Sequence, residues 1–216
     1  MHGGGTSPEI FRFQTSSLRM ALAHEYEFFY ASAPHLATPG PDVLPFFAGM
    51  DPFYSWFRPE HDDPAAEVAI FNDFVKKNVD TFTADNPGHQ IVGVLGFSQG
   101  AVASTILVWQ RQIGRITWLP DVKFAVLLCP GYSAVATGYM RGVCKEHGLN
   151  EDGIVVKLPT LHLHGRQDTL NLPQSRMMYA THYHGAKLEE FDGRHEVPKR
   201  IGDVKKVTEY VLGIPE

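Results

Sequence analysis

Apolar positions fall into two alternating textures along the chain. Short β-branched or aromatic runs at residues 26–30, 91–97, 124–129, 160–164 and 186–191 read as strands. Between them lie stretches with helical spacing. One follows Asp63-Pro64, a cap and first-turn pair, and carries Val68, Phe71, Val75, Val79 and Phe82 at intervals of three and four. Others span about 100–112, 173–184 and 198–212, the last with Ile201, Val204, Val207 and Val211 toward the sheet. Strands alternating with helices predict an α/β fold, a mostly parallel, doubly wound sheet with helices on both faces, in a single domain over residues 1–216.

Residues 33–64 break the pattern. Seven prolines and no clean period leave room for little beyond short turns. The same stretch holds Phe46, Phe47, Phe53, Tyr54, Trp56 and Phe57, an apolar load that is expected to cover something. Two readings are compatible: a flap packed on the body of the domain, and a lid or wall over an apolar groove. Tyr54, Trp56 and Phe57 are accordingly candidates for substrate contact. Phe97 and Tyr132 join them, the latter following Cys129-Pro130-Gly131 at a strand end.

Charge and composition narrow the chemistry. A net charge of −5 argues against a nucleic-acid binder, which needs a concentrated basic surface. The apolar runs are far shorter than the roughly 20 residues of a bilayer span. No basic start and apolar run mark a signal peptide at the N-terminus, so a cytoplasmic location is expected. Two cysteines make no disulfide scaffold and no metal spacing: Cys129 reads as a buried small hydrophobe and Cys144 as a reduced surface thiol. The pairs His162/His164 and His182/His184 are spaced i, i+2, without an evident acid or thiol partner for a metal. His162 and His164 alternate with leucines inside a strand and read as buried, whereas His147, His182 and His184 read as solvated.

Gly96-Phe97-Ser98-Gln99-Gly100 is a G-x-S-x-G pentapeptide between a β-branched run and a helical start. Strand, sharp turn and helix form the context in which this motif lifts a nucleophilic serine above a sheet. The turn aims the Gln99 N–H at the same space, and the helix N-terminus favours developing negative charge. A serine hydroxyl needs a base, which in doubly wound hydrolases follows an acid in chain order. Asp168 ends a loop after one predicted strand, and His195 lies in a glycine-bearing loop after the next. Ser98, Asp168 and His195 complete the order. Asp192 is the rival acid, three residues from His195 on the same loop. A protein of this fold that binds a ligand without turnover is the alternative.

Four segments together carry a resemblance: His-Gly-Gly-Gly-Thr-Ser at residues 2–7 with Ile-Phe-Arg at 10–12, Gly-Phe-Ser-Gln-Gly-Ala at 96–101, Leu-His-Leu-His-Gly with Asp168 at 161–168, and Gly-Arg-His-Glu-Val-Pro at 193–198. In this order they resemble the FSH family of serine hydrolases, small α/β-hydrolases that include fungal thioesterases releasing polyketides from their synthases. The resemblance implies an α/β-hydrolase fold and esterase or thioesterase chemistry, with no metal or organic cofactor. It implies a small-molecule acyl ester or thioester substrate, with an acyl carrier domain as one means of presenting it. It also implies oxyanion donors at Gln99 and Gly4. The helix entry at Ser7-Pro8 argues that the glycine run is structural rather than a frayed end. Family members carry an apolar strand immediately before His-Gly. The first family strand is thus missing from this sequence, and further residues ending in such a strand are expected upstream.

Overall fold

The structure, a computed structural model, describes residues 1–58, 63–183 and 185–215. Two short helices, α1 (Pro8–Gln14) and α2 (Ser16–Leu22), precede a two-stranded antiparallel ribbon of β1 (His35–Ala37) and β2 (Phe53–Ser55). Then come α3 (Pro64–Asp85), β3 (Gly93–Phe97), α4 (Gln99–Gln112), β4 (Phe124–Leu128) and α5 (Ala134–Glu146). A 3-10 turn at Glu151–Ile154, β5 (Thr160–Gly165), α6 (Leu172–His182), β6 (Lys187–Phe191) and α7 (Ile201–Leu212) complete the chain. The main sheet has the order β3-β4-β5-β6 and every pairing is parallel. All its C-terminal ends therefore lie on one edge, where loops can converge.

Alternation along β4 sorts the two layers. Ala125 and Leu127 pack with Val68, Val75, Ile106 and Trp109 of α3 and α4. Phe124, Val126 and Leu128 pack with Phe11, Leu18, Val204 and Val207 on the opposite face. Both faces of the strand are apolar because both are covered, as parallel sheets require. Helix starts follow the local chemistry. The Asp63 carboxylate accepts from the Ala65 and Ala66 N–H groups, and Ser7 Oγ accepts from Ile10 N–H, each cap followed by a proline that has no N–H to satisfy.

Several expectations change. Residues 26–30 form no ladder, because the strand space beside them holds no partner. They line an apolar groove of about 530 Å³ whose other wall is the outer edge of β3, flanked by Val75 and Val79 of α3 and Val207 and Val211 of α7. At one end of this groove the Met1 amine donates to Leu95 O (2.6 Å) and Phe97 N–H donates to Met1 O (3.1 Å). That pair of bonds is one parallel bridge. Burial lowers the amine pKa to about 5, so it is a neutral donor near pH 7.

The remaining differences are of burial. Ile201 is 89% exposed at the first turn of α7 rather than facing the sheet, and Phe46 is 85% exposed. Cys144 is buried on α5, a helix the apolar spacing did not announce. His182 is buried too: its ring nitrogens contact Thr137 Oγ1 (2.9 Å) and Ile154 O (3.2 Å), polar partners that make the burial tolerable. His184 and residues 59–62 lie outside the described residues. Within 33–64 the chain makes a small core of its own, with Val43 and Phe53 against Ile10 of α1.

The groove predicts how the fold responds to added chain. Fusing about five Val, Ile or Leu residues ahead of Met1 is expected to extend the ladder along β3 and raise the melting temperature by about 5 °C. An unchanged or lower melting temperature would show that the groove does not accept a strand.

Candidate active site

Ser98 follows β3 directly and adopts φ 54°, ψ −120°, a left-handed conformation rarely taken by a residue with a side chain. The turn is over-determined. Ser98 N–H donates to Leu128 O (3.0 Å), and Ser98 O accepts from Ala101 N–H (3.0 Å). The glycines at 96 and 100 are sterically required. A Cβ on Gly96 would strike Gly100 O and Ser104 Oγ, and one on Gly100 would strike the carbonyl oxygens of Met1 and His2. The 96–100 turn is thus pressed directly against the His2-Gly-Gly-Gly segment.

His195 arrives from the loop after β6. Gln167 N–H donates to Gly193 O (2.9 Å), which fastens this loop to the end of β5, and the ring of His195 rests on Phe97 with centroids 4.9 Å apart. Its Nε2 lies 2.9 Å from Ser98 Oγ and its Nδ1 lies 2.7 Å from Asp168 Oδ2. The other Asp168 oxygen accepts from the N–H groups of Leu170 (3.1 Å) and Asn171 (2.7 Å). Burial alone would raise the Asp168 pKa. The His195 hydrogen bond and those backbone donors outweigh it, so the carboxyl stays below its ordinary value and ionised near neutrality. Asp192, the rival acid, is exposed and bonds to Gln167 Nε2 (2.6 Å) and Arg200 Nη1 (3.2 Å). Three side chains distant in sequence thus form one hydrogen-bonded line from carboxylate to hydroxyl.

Gly4 lies beside Gln99: a Cβ on Gly4 would sit 3.0 Å from Gln99 Oε1. Among the described residues neither the Gly4 nor the Gln99 backbone N–H has a hydrogen-bond partner. Cys129 Sγ lies within 4.8 Å of ligating atoms of Asp168 and His195. Burial pushes its thiol up to about 12, and the acid and imidazole are bonded to each other, so the trio is poorly disposed to hold a metal.

A cavity of about 360 Å³ opens at Ser98, walled by Phe57, Val102, Ile106, Tyr132 and Tyr139. Of the five sequence-derived contact candidates, Phe57 and Tyr132 line it. Tyr54, Trp56 and Phe97 do not. Tyr54 pairs with Thr6, and Phe97 supports His195 from below. Trp56 is fully buried, tilted against the His2 ring (centroids 4.9 Å apart), with its Nε1–H donating to His2 O (2.7 Å). The cavity also has a polar wall that sequence reasoning missed. Arg58 Nε and Nη2 donate to Glu67 Oε1 at 2.9 and 2.6 Å, and His35 Nε2 lies 3.0 Å from Glu67 Oε2. Burial raises the Glu67 pKa, but the Arg58 N–H and guanidinium and the His35 charge more than offset this, leaving it low. The available signal was an acid at Glu67, four residues before Phe71 on the buried stripe of α3.

Sheet, elbow and edge loops together define an α/β-hydrolase. Solved structures share the fold. The Bacillus cereus carboxylesterase matches at TM-score 0.58 with 13% identity, covering 98% of this chain and 85% of that one. Zea mays acyl-protein thioesterase 2 matches at TM-score 0.51 with 16% identity, covering 98% and 90%. The model of the serine hydrolase (FSH1) family matches residues 1–207, and the chain belongs to that family and is a hydrolase. Among curated relatives, esterase mlcF of Penicillium citrinum is 44% identical over 95% of this chain and 84% of its own. The dihydromonacolin L-[lovastatin nonaketide synthase] thioesterase of Aspergillus terreus is 40% identical over 96% and 87%.

Gly100→Ala is expected to cost about 2 kcal/mol of stability by forcing the 96–100 turn away from residues 1–2; an unchanged urea midpoint would contradict that contact. Burial lowers the pKa of both His2 and His164 to about 4. The unfolded chain takes up these protons as the pH drops below 6.5 while the folded chain does not. Stability is therefore fully present above 6.5 and falls between 6.5 and 4, by about 3 kcal/mol per histidine at the low end. A melting temperature constant from pH 7 to pH 5 would refute this.

Proposed function

We propose that this chain cleaves acyl esters or thioesters through an acyl-enzyme on Ser98. The observation that carries the reading is the unbroken line Asp168–His195–Ser98, with contacts of 2.7 and 2.9 Å, at the mouth of a mostly apolar cavity. In this mechanism His195 Nε2 takes the Ser98 proton as the oxygen attacks the acyl carbonyl. Asp168 holds Nδ1 protonated and stabilises the imidazolium that forms. The Gln99 and Gly4 N–H groups, which have no acceptor among the described residues, donate to the oxyanion, each such donor being worth about 3 kcal/mol of barrier. The leaving alcohol or thiol takes the proton from His195. Water then attacks the acyl carbon as His195 Nε2 takes one of its protons, and His195 passes that proton to Ser98 Oγ as the acyl–oxygen bond breaks and the acid leaves.

The substrate we infer is a small-molecule ester or thioester with an apolar acyl chain, such as a polyketide or fatty acyl group. Phe57, Val102, Ile106 and Tyr132 offer such a chain its walls. The relatives named as esterase and as a polyketide synthase thioesterase support the class, and presentation on an acyl carrier domain is the corresponding proposal for delivery.

Ser98→Ala is expected to abolish p-nitrophenyl ester and acyl thioester hydrolysis and fluorophosphonate labelling while leaving the melting temperature within a few degrees. Hydrolysis by Ser98→Ala at the wild-type rate would end this reading. A wild-type protein that cleaves nothing and resists labelling would favour a ligand-binding role.

A further inference from the structure

The residue after the nucleophile contributes more than its backbone. Gln99 heads α4, yet its side chain turns away from the helix toward the segment that follows β2. Gln99 Oε1 accepts from Trp56 N–H (2.9 Å) and lies 3.0 Å from Ser55 Oγ. Gln99 Nε2 donates to Phe57 O (3.3 Å). One amide thus engages three consecutive residues, Ser55 to Phe57. An amide is suited to this, because it presents an acceptor and a donor side by side, as a peptide group does.

The same side chain also faces the glycine segment. The Gly4 backbone packs directly on it. Residues 54–57, a strap along the site, and the glycine segment are further tied together: Gly5 N–H donates to Tyr54 O (2.8 Å), Tyr54 N–H to Thr6 O (2.7 Å), and Trp56 Nε1–H to His2 O (2.7 Å). Phe57, at the end of the strap, is a wall of the cavity beside Ser98. A displacement of Phe57 therefore has a short mechanical route, through one amide, to the place where Gly4 and Gln99 meet.

We propose that the Gln99 side-chain amide is a positioning group that couples the acyl-binding strap at residues 54–57 to the oxyanion donors, so that acyl chains long enough to press on Phe57 are turned over in preference to short ones. This rests on the serine-hydrolase reading above. A short acyl group leaves the strap untouched and gains nothing from the coupling. A longer one seats Phe57, and through Gln99 holds Gly4 and the 98–99 turn at the separation an oxyanion needs.

The test compares p-nitrophenyl acetate, butyrate and octanoate across wild type, Gln99→Leu, Gln99→Glu and Ser55→Ala, reading kcat and KM separately. Gln99→Leu keeps the backbone donor but loses all three side-chain contacts. Its kcat on octanoate is expected to fall at least tenfold more than its kcat on acetate. Gln99→Glu, which keeps the acceptor for Trp56 N–H and loses the donor to Phe57 O, is expected to fall between wild type and Gln99→Leu. Ser55→Ala removes the hydroxyl that lies 3.0 Å from Gln99 Oε1 and 2.7 Å from Phe57 O, both outside the oxyanion machinery, and is expected to narrow the octanoate-to-acetate ratio about twofold to threefold. It also keeps the test decisive should Gln99→Leu fail to fold. Equal fractional loss on all three esters, in variants with the wild-type melting temperature, would overturn the coupling and leave Gln99 a support of the turn alone. An unlabelled and inactive wild type would instead overturn the hydrolase reading itself.

Discussion

The site depends on one backbone constraint, the left-handed turn at Ser98. Four parallel strands bring their C-terminal ends to a common edge, but a strand that simply ran on into a helix would leave its serine in the plane of the sheet. The turn at φ 54° lifts the hydroxyl out and releases the next N–H from helical bonding at the same time. Strain of this kind costs on the order of 1–3 kcal/mol and persists only where the surroundings over-determine it. Here they do. The Leu128 carbonyl, the 1–2 carbonyls packed on Gly100 and the first turn of α4 hold it from three directions.

The burial of polar groups around that turn is correspondingly expensive and mostly satisfied. Asp168 stays ionised in a nearly water-free position because three donors face it. Glu67 stays ionised by the same logic with a guanidinium as the main partner. The histidines follow the opposite course. His2, His162 and His164 have few polar partners and are held neutral, the state that burial favours for a cation-forming group.

Much of this was readable from the residues. The order Ser98, Asp168, His195 could be read because each lies in a loop after an apolar run, and the sheet makes those loops neighbours. The caps at Ser7 and Asp63 were legible for the same local reason. What escaped was tertiary. Residues 26–30 have every local property of a strand, but a ladder needs a partner beside it, and that space is a groove. Trp56 reads as a ligand contact in a loop sequence, yet its ring is committed to His2 and Phe71. Cys144 and Ile201 exchange their expected places because a helix's rotation about its axis is decided by what it packs on, and an end turn can point away from an otherwise apolar stripe. The Arg58–Glu67–His35 wall joins residues from three separate elements, a proximity no spacing rule encodes.

The groove beside β3 has a consequence for the direction in which the sheet can grow. Most sheet borders are blunted by charge, proline or a covering helix. This one is flanked by valines and faces a groove that Met1 enters from one end. Such a groove has the shape and the apolar walls that an extended segment needs. The bonds from Met1 to Leu95 and Phe97 set the direction in advance: a segment joined ahead of Met1 would run parallel to β3 and put its side chains alternately against the valines of α3 and of α7.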